Sequence, residues 1–210
     1  MPGNVGFPIP GVEIRLGLDD EILVQGHNVM KGYFKLVEET KRAIDEEGWL
    51  HTGDIGRIGP EGLRIVGRKD RIFKLSNGKK ISPQILEDRI KNQCTYVKNA
   101  YVFGNGMKAP CALIFPDFSL IPPDDLEKYT ASFSAGLKEA NCLAEAKYER
   151  IEEALIVKEA PTIEGGELTP SMKLRFGVME QKYGGYMDFF TTGNEPLHGA
   201  VKIFDSTIRC

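Results

Sequence analysis

Apolar and polar residues alternate along Val12-Glu13-Ile14-Arg15-Leu16, the period of two expected of a strand with one face buried. Gly17-Leu18-Asp19-Asp20 supplies a turn, and Glu21-Ile22-Leu23-Val24 returns as a second strand. Residues Glu38 to Ile44 are helix-prone, with Val37, Lys41 and Ile44 along one side. Asp54 to Ile58 and Leu63 to Val66 read as two further strands, because Gly59-Pro60-Glu61-Gly62 between them is a strong hairpin signal. The first stretch is therefore a small β-rich unit, too open for a whole catalytic domain.

A second unit begins near residue 71. Ser82 and Pro83 predict a helix start, the hydroxyl as cap and the proline at the first helical position. Ile85, Leu86 and Ile90 give that helix its apolar face. Val97 to Phe103 and Cys111 to Phe115 are expected strands around Gly104-Asn105-Gly106. Leu126 to Arg150 reads as predominantly helical, Ala154 to Val157 as a short strand, and Thr169-Pro170 as the start of a last helix reaching about Tyr183. Strands and helices interleave over short connections, so the expected class is α+β. The tail from Gly184 shows no clear periodicity.

Composition narrows the function classes. The 210 residues have room for one or two domains, and 41% hydrophobic residues suit globular cores. Lys+Arg 27 against Asp+Glu 30 leaves a net charge of −3, which gives no overall field to recruit nucleic acid or an anionic membrane. Cations do gather locally, at Arg57, Arg64, Arg68, Lys69, Arg71, Lys74, Lys79 and Lys80. That stretch reads either as a solvated face or as an anion site. Cys94, Cys111, Cys142 and Cys210 show no C-x-x-C spacing, and four free thiols in a reducing cytosol are expected. No apolar run approaches the roughly 18 residues of a membrane span, and residues 1–30 lack a signal peptide. A cytoplasmic location, with room for peripheral attachment to a membrane, is the expectation. His27, His51 and His198 never fall at metal-ligand spacing, and no metal site is expected in this chain.

The chemistry is concentrated in two strings. The first runs Gly48-Trp49-Leu50-His51-Thr52-Gly53-Asp54-Ile55-Gly56, and the second Gly67-Arg68-Lys69-Asp70-Arg71-Ile72-Phe73-Lys74-Leu75-Ser76-Asn77-Gly78-Lys79-Lys80. Together they resemble consecutive signature motifs of the adenylate-forming enzymes, the superfamily of acyl-CoA synthetases, luciferases and peptide-synthetase adenylation domains. Gly166-Glu167-Leu168-Thr169-Pro170-Ser171-Met172-Lys173-Leu174-Arg175 resembles the final motif of the same family. The likeness extends over roughly residues 3 to 183, including Gly3-Asn4-Val5-Gly6-Phe7-Pro8 and Glu21-Ile22-Leu23-Val24-Gln25-Gly26. These motifs lie near the end of chains several times the size of one ordinary domain. The resemblance thus implies a carboxyl-terminal piece of a long-chain fatty-acid–CoA ligase, without its amino-terminal domain. It also implies an organisation of 1–69 as the β-rich end of the large domain, 70–183 as the small α+β domain, and 184–210 as a tail of unknown structure.

Each candidate residue has a plain reading and one the family implies. Asp54, alone, is a turn residue; a carboxylate can also accept from both ribose hydroxyls, and the resemblance makes Asp54 nucleotide-binding. Arg68 reads as a strand-end cation or, by the resemblance, as a second ribose or phosphate ligand whose planar fork suits oxygen pairs. Asp70 falls at the family's hinge, although Lys69-Asp70-Arg71 replaces the Lys-Lys-Asp of many members. Lys74 and the Asn77-Gly78 turn would otherwise be a surface hairpin. By resemblance Asn77, Gly78 and Lys79 bind CoA, and Lys74 serves the thioester-forming step. Lys173 would be a solvated lysine in a helix's first turn. The family makes it the catalytic lysine of adenylation, whose ammonium offsets charge at the α-phosphate. ATP/AMP, CoA and fatty acid are thereby the expected ligands.

Some family features are absent from the sequence. There is no Ser/Thr/Gly-rich phosphate loop ending in lysine and no aromatic-Gly-x-Thr-Glu motif, so Mg2+ is expected outside this chain and the fragment is expected to be inactive alone. An acyl-activating ligase with a carrier-protein or other acceptor, and a non-catalytic partner-binding module, are the other readings.

Overall fold

The computed structural model describes residues 4–192 and 200–203. The chain divides into two compact units, Met1–Ile72 and Phe73–Cys210. His198 and Cys210 lie outside the described residues.

The first unit is an antiparallel sheet. Its strands are β1 (Asn4–Gly6), β2 (Val12–Leu16), β3 (Glu21–Gly26), β4 (Leu50–Gly59) and β5 (Gly62–Arg68), in the order β1-β5-β4-β3-β2. One helix, α1 (Val37–Ala43), lies in the β3–β4 connection. The alternation in β2 does what the pattern requires, with partly buried and exposed residues in turn. Ile22, Leu23, Trp49, Ile55 and Leu63 form the buried centre, and the Arg15 guanidinium lies 4.1 Å from the Trp49 ring centroid. Gly56 is required by that packing, since a Cβ there would fall 2.6 Å from Ile22 Cγ1.

The register of β4 is irregular where it matters. Glu21 pairs with Ile55 and Leu23 with His51, so β3 advances two positions while β4 advances four. The surplus puts Thr52, Gly53 and Asp54 in a bulge, with Gly53 at φ +71, a left-handed value that glycine adopts freely.

The second unit has three layers. A small hairpin, β6 (Phe73–Lys74) with β7 (Lys80–Ile81), leads into α2 (Pro83–Gln93). Then follow β8 (Val97–Phe103), β9 (Cys111–Pro116), α3 (Thr130–Cys142), β10 (Glu153–Val157), α4 (Phe176–Thr192) and β11 (Ala200–Ile203). The sheet order is β11-β10-β9-β8; β9 and β10 are parallel and the other pairs antiparallel. Ala112 and Ile114 of β9 face a core shared with Leu86 and Ile90 of α2 and Phe133 and Leu137 of α3. Leu113 and Phe115 face the opposite core, with Met179, Tyr183 and Phe189 of α4. Burial on both faces explains why β9 is a continuous apolar run and not an alternating one. The class is α+β.

Several local expectations need correction. Ser82 occupies the cap position of α2 but makes no side-chain cap bond, so Pro83 alone carries the start signal. The span 126–150 is helical only in part: a 3-10 helix at Pro123–Tyr129, then α3, then a 3-10 turn at Lys147–Glu149. The last helix begins at Phe176, not Thr169, and ends at Thr192, beyond Tyr183. Threonine followed by proline serves turns as well as helix starts, and here it makes a turn. The tail contributes the end of α4 and all of β11. Cys94 and Cys111 are free and buried, but Cys142 is disulfide-bonded, which corrects the expectation of four free thiols. Separation along the chain does not limit which thiols meet in space.

Candidate functional site

In the first unit, Asp54 and Arg68 are cross-strand partners on β4 and β5. Arg68 Nη1 donates to Asp54 Oδ1 at 3.3 Å and to the Thr52 carbonyl at 3.1 Å, and Nε donates to Asp70 Oδ1 at 3.4 Å. The Asp54 side chain is one-third exposed and that of Arg68 nearly half, so the pair stays open to a ligand. Asp70 sits in a single 3-10 turn, Lys69–Arg71, with its side chain 70% exposed. The structure thus brings Asp54, Arg68 and Asp70 together.

Polar groups behind Asp54 and Arg68 fix the bulge. The Glu21 carboxylate is buried and accepts from the Gly53 N–H at 3.1 Å and Lys69 Nζ at 2.9 Å, with His51 Nδ1 3.3 Å away. Burial pushes the Glu21 carboxyl up, but Lys69, His51 and the Gly53 N–H outweigh it and hold the group below its ordinary value. Lys69 is raised in return, chiefly by its hydrogen bond to Glu21. On the loop before β4, Asp45 Oδ1 accepts from the backbone N–H groups of Trp49 at 2.8 Å and Glu47 at 3.1 Å. Those bonds, Trp49 first, lower the Asp45 carboxyl. The Gly-Trp-Leu-His-Thr-Gly-Asp string is therefore anchored at both ends of its length.

In the second unit, Lys74 pairs with Lys80 across the β6–β7 hairpin. Leu75, buried, anchors the loop, and its N–H donates to the Lys79 carbonyl at 2.9 Å. Asn77 Oδ1 accepts from the Lys79 N–H at 3.0 Å. Gly78 lies at φ +77, and a Cβ built on it would meet nothing within 4 Å. The loop is braced by residues 104–107, through Gly106 N–H to the Lys74 carbonyl and Ser76 N–H to the Met107 carbonyl, both 2.8 Å.

Lys173 stands on a separate turn. Leu168 and Leu174 bridge antiparallel, closing Thr169 to Lys173 into a tight loop with Met172 at φ 61. Thr169 holds Lys173 twice: its N–H donates to the Lys173 carbonyl at 2.8 Å and its Oγ1 accepts from the Lys173 N–H at 3.1 Å. The Lys173 side chain is exposed. The base of the loop is pinned by Glu167, fully buried and ion-paired with Lys182 of α4. Burial raises the Glu167 carboxyl, but Lys182 and the N–H of Thr162 bring it below its ordinary value. Glu21, Thr169 and Glu167 were not visible as site residues in the sequence, since their roles depend on partners far along the chain or on a backbone turn.

Residues 70–187 match the family described as AMP-binding enzyme C-terminal domain. The chain belongs to that family. Around this C-terminal domain the similarity extends further. Long-chain-fatty-acid–CoA ligase 5 of Mus musculus is 34% identical over 206 residues, covering 82% of this chain and 29% of the relative. Fatty acyl-CoA synthetase A of Dictyostelium discoideum is 31% identical over 221 residues, covering 89% and 33%. The chain thus spans about a third of the length of the curated relatives it matches. Among solved structures, the A domain of carboxylic acid reductase from Segniliparus rugosus, in complex with AMP and a co-purified carboxylic acid, superposes with a TM-score of 0.69 at 23% identity, over 82% of this chain and 28% of that one. That likeness shows the shared fold. Among the described residues, no helix is long and apolar enough to cross a membrane, and no group of three or more His, Cys, Asp or Glu is placed to hold a metal ion.

Proposed function

We propose that this AMP-binding C-terminal domain chain is the carboxyl-terminal part of a fatty-acid–CoA ligase. The observation that carries the reading is the Asp54–Arg68 contact on the β4 bulge, in a chain whose relatives are named fatty-acid–CoA ligases. In the parent reaction a fatty-acid carboxylate oxygen attacks the α-phosphorus of ATP and pyrophosphate leaves. The CoA sulfur then attacks the acyl carbonyl carbon, and AMP leaves. Asp54 accepts from the ribose hydroxyls and Arg68 donates beside it, so the nucleotide is held by its sugar. Lys173 serves adenylation, where an ammonium stabilises charge that builds only as phosphorus becomes pentavalent. Lys74, Asn77, Gly78 and Lys79 serve thioester formation, and the open space at Gly78 supports passage of pantetheine. Asp70 is the hinge between the two working arrangements. Mg2+ belongs to the phosphate end of the nucleotide, and no residue of this chain is assigned to it.

The test is a pair of single-turnover assays in a full-length ligase carrying this region. Lys173→Ala should slow adenylate formation by about 10²- to 10³-fold and still convert supplied acyl-adenylate to acyl-CoA. Gly78→Leu should spare adenylation and slow thioester formation. Equal loss in both steps for both variants would overturn the division of roles.

A further inference from the structure

We infer that Glu21 is a positioning residue of the nucleotide site, holding the Thr52–Gly53 peptide so that Asp54 and Arg68 meet. This rests on the nucleotide-binding reading of those two residues. The peptide's N–H, on Gly53, donates to Glu21 Oε1 at 3.1 Å, and its carbonyl, on Thr52, accepts from Arg68 Nη1 at 3.1 Å. One peptide plane is gripped at both edges by opposite charges. Lys69 follows Arg68 in the chain and returns its ammonium to Glu21 Oε2 at 2.9 Å. Glu21, the bulge peptide and the Arg68-Lys69 pair therefore close a ring.

Three facts make the ring more than ordinary strand packing. The peptide lies in the bulge, where the regular ladder supplies no partner and a backbone N–H must find another acceptor. Glycine at position 53 lets the guanidinium lie close over the bulge, since a Cβ there would fall 3.0 Å from Arg68 Nη2. A carboxylate only 6% exposed costs more to bury than an apolar residue of its size unless donors surround it, and here they do. Asp54 directly follows the gripped peptide, and its own N–H donates to Thr52 Oγ1 at 3.1 Å. The backbone of Asp54 is thereby tied to Thr52 across Gly53.

Glu21→Gln keeps the shape and an acceptor while removing the charge; Glu21→Ala removes both and serves as the second variant. In the full-length ligase, Glu21→Gln should raise the KM for ATP in adenylation roughly tenfold, the equivalent of one charge-assisted hydrogen bond, with kcat little changed. In the isotope-labelled 210-residue chain, amide exchange at Gly53 should quicken by a similar factor while Ile22 and Leu63 stay protected. Faster Gly53 exchange with an unchanged KM would reduce Glu21 to a structural residue, and unchanged exchange in both variants would remove the grip itself. Asp54→Asn is run in parallel. A flat KM there overturns the nucleotide reading and this role with it, whereas a raised KM there beside a flat one for Glu21→Gln and Glu21→Ala overturns Glu21 alone.

Discussion

Replacing Glu167 by glutamine should weaken the second unit by about 2 kcal/mol at neutral pH. The carboxylate is 0% exposed and accepts from Lys182, from the Thr162 N–H at 3.3 Å and from Thr162 Oγ1 at 3.5 Å. Glutamine of the same shape turns an amide N–H toward at least one of those donors. Lys182 is nearly half exposed and can take its charge back to water, which keeps the loss below the roughly 3–5 kcal/mol of a fully buried broken pair. Urea unfolding followed by far-ultraviolet circular dichroism reads mainly this unit, which holds α2, α3 and α4. The single tryptophan, Trp49, lies in the other unit, and its fluorescence is an internal control that should not move. The sign with pH follows from the depressed carboxyl. Its contribution is complete above the unfolded value and disappears as pH falls through the lower folded one, so the gap between parent and variant should close in acid. A Glu167→Gln chain within about 0.5 kcal/mol of the parent at neutral pH, or a gap that persists in acid, would refute the reasoning.

Two further expectations concern the same unit and its boundary. The Tyr183 hydroxyl is buried with no hydrogen-bond partner among the described residues, and burial first, then nearby Glu167, pushes its ionisation up to about 12. Tyr183→Phe should therefore stabilise the unit by about 1 kcal/mol in the same urea experiment, and a clear loss would show the hydroxyl is satisfied after all. Trypsin should cut first near Arg71, beside the division between Ile72 and Phe73, and leave a resistant carboxyl-terminal core in a gel time course; simultaneous loss of both units would contradict that.

The sequence was informative where structure is set locally. Val12–Leu16 and Val97–Phe103 are strands at the expected bounds, and Gly59 to Gly62 turns the chain between β4 and β5. Alternation and turn chemistry are properties of neighbouring residues, so they survive without a fold. The last helix was misplaced because Thr169-Pro170 satisfies two local rules, and the Leu168–Leu174 bridge that decides between them is made by the turn closing on itself. Motif strings singled out Asp54, Arg68 and Lys173 as expected site residues, but not what holds them. Glu21 looks like the polar start of a strand until Gly53 and Lys69 arrive from 32 and 48 residues away. Glu167 likewise reads as one more surface carboxylate until α4 brings Lys182 to it.

The place of β11 bears on how the polypeptide is made and cut. Ala154 to Val157 of β10 are wholly buried, bonded to β9 on one side and to Ala200–Ile203 on the other. During synthesis the second side stays bare until those late residues leave the ribosome, and α4 covers the sheet's face without pairing its rim. A bare apolar rim is a template for a strand from another molecule. Shortened versions ending at residue 183 or 187 would sever α4 and keep that template exposed permanently. They should precipitate or associate more readily than versions running through Ile203.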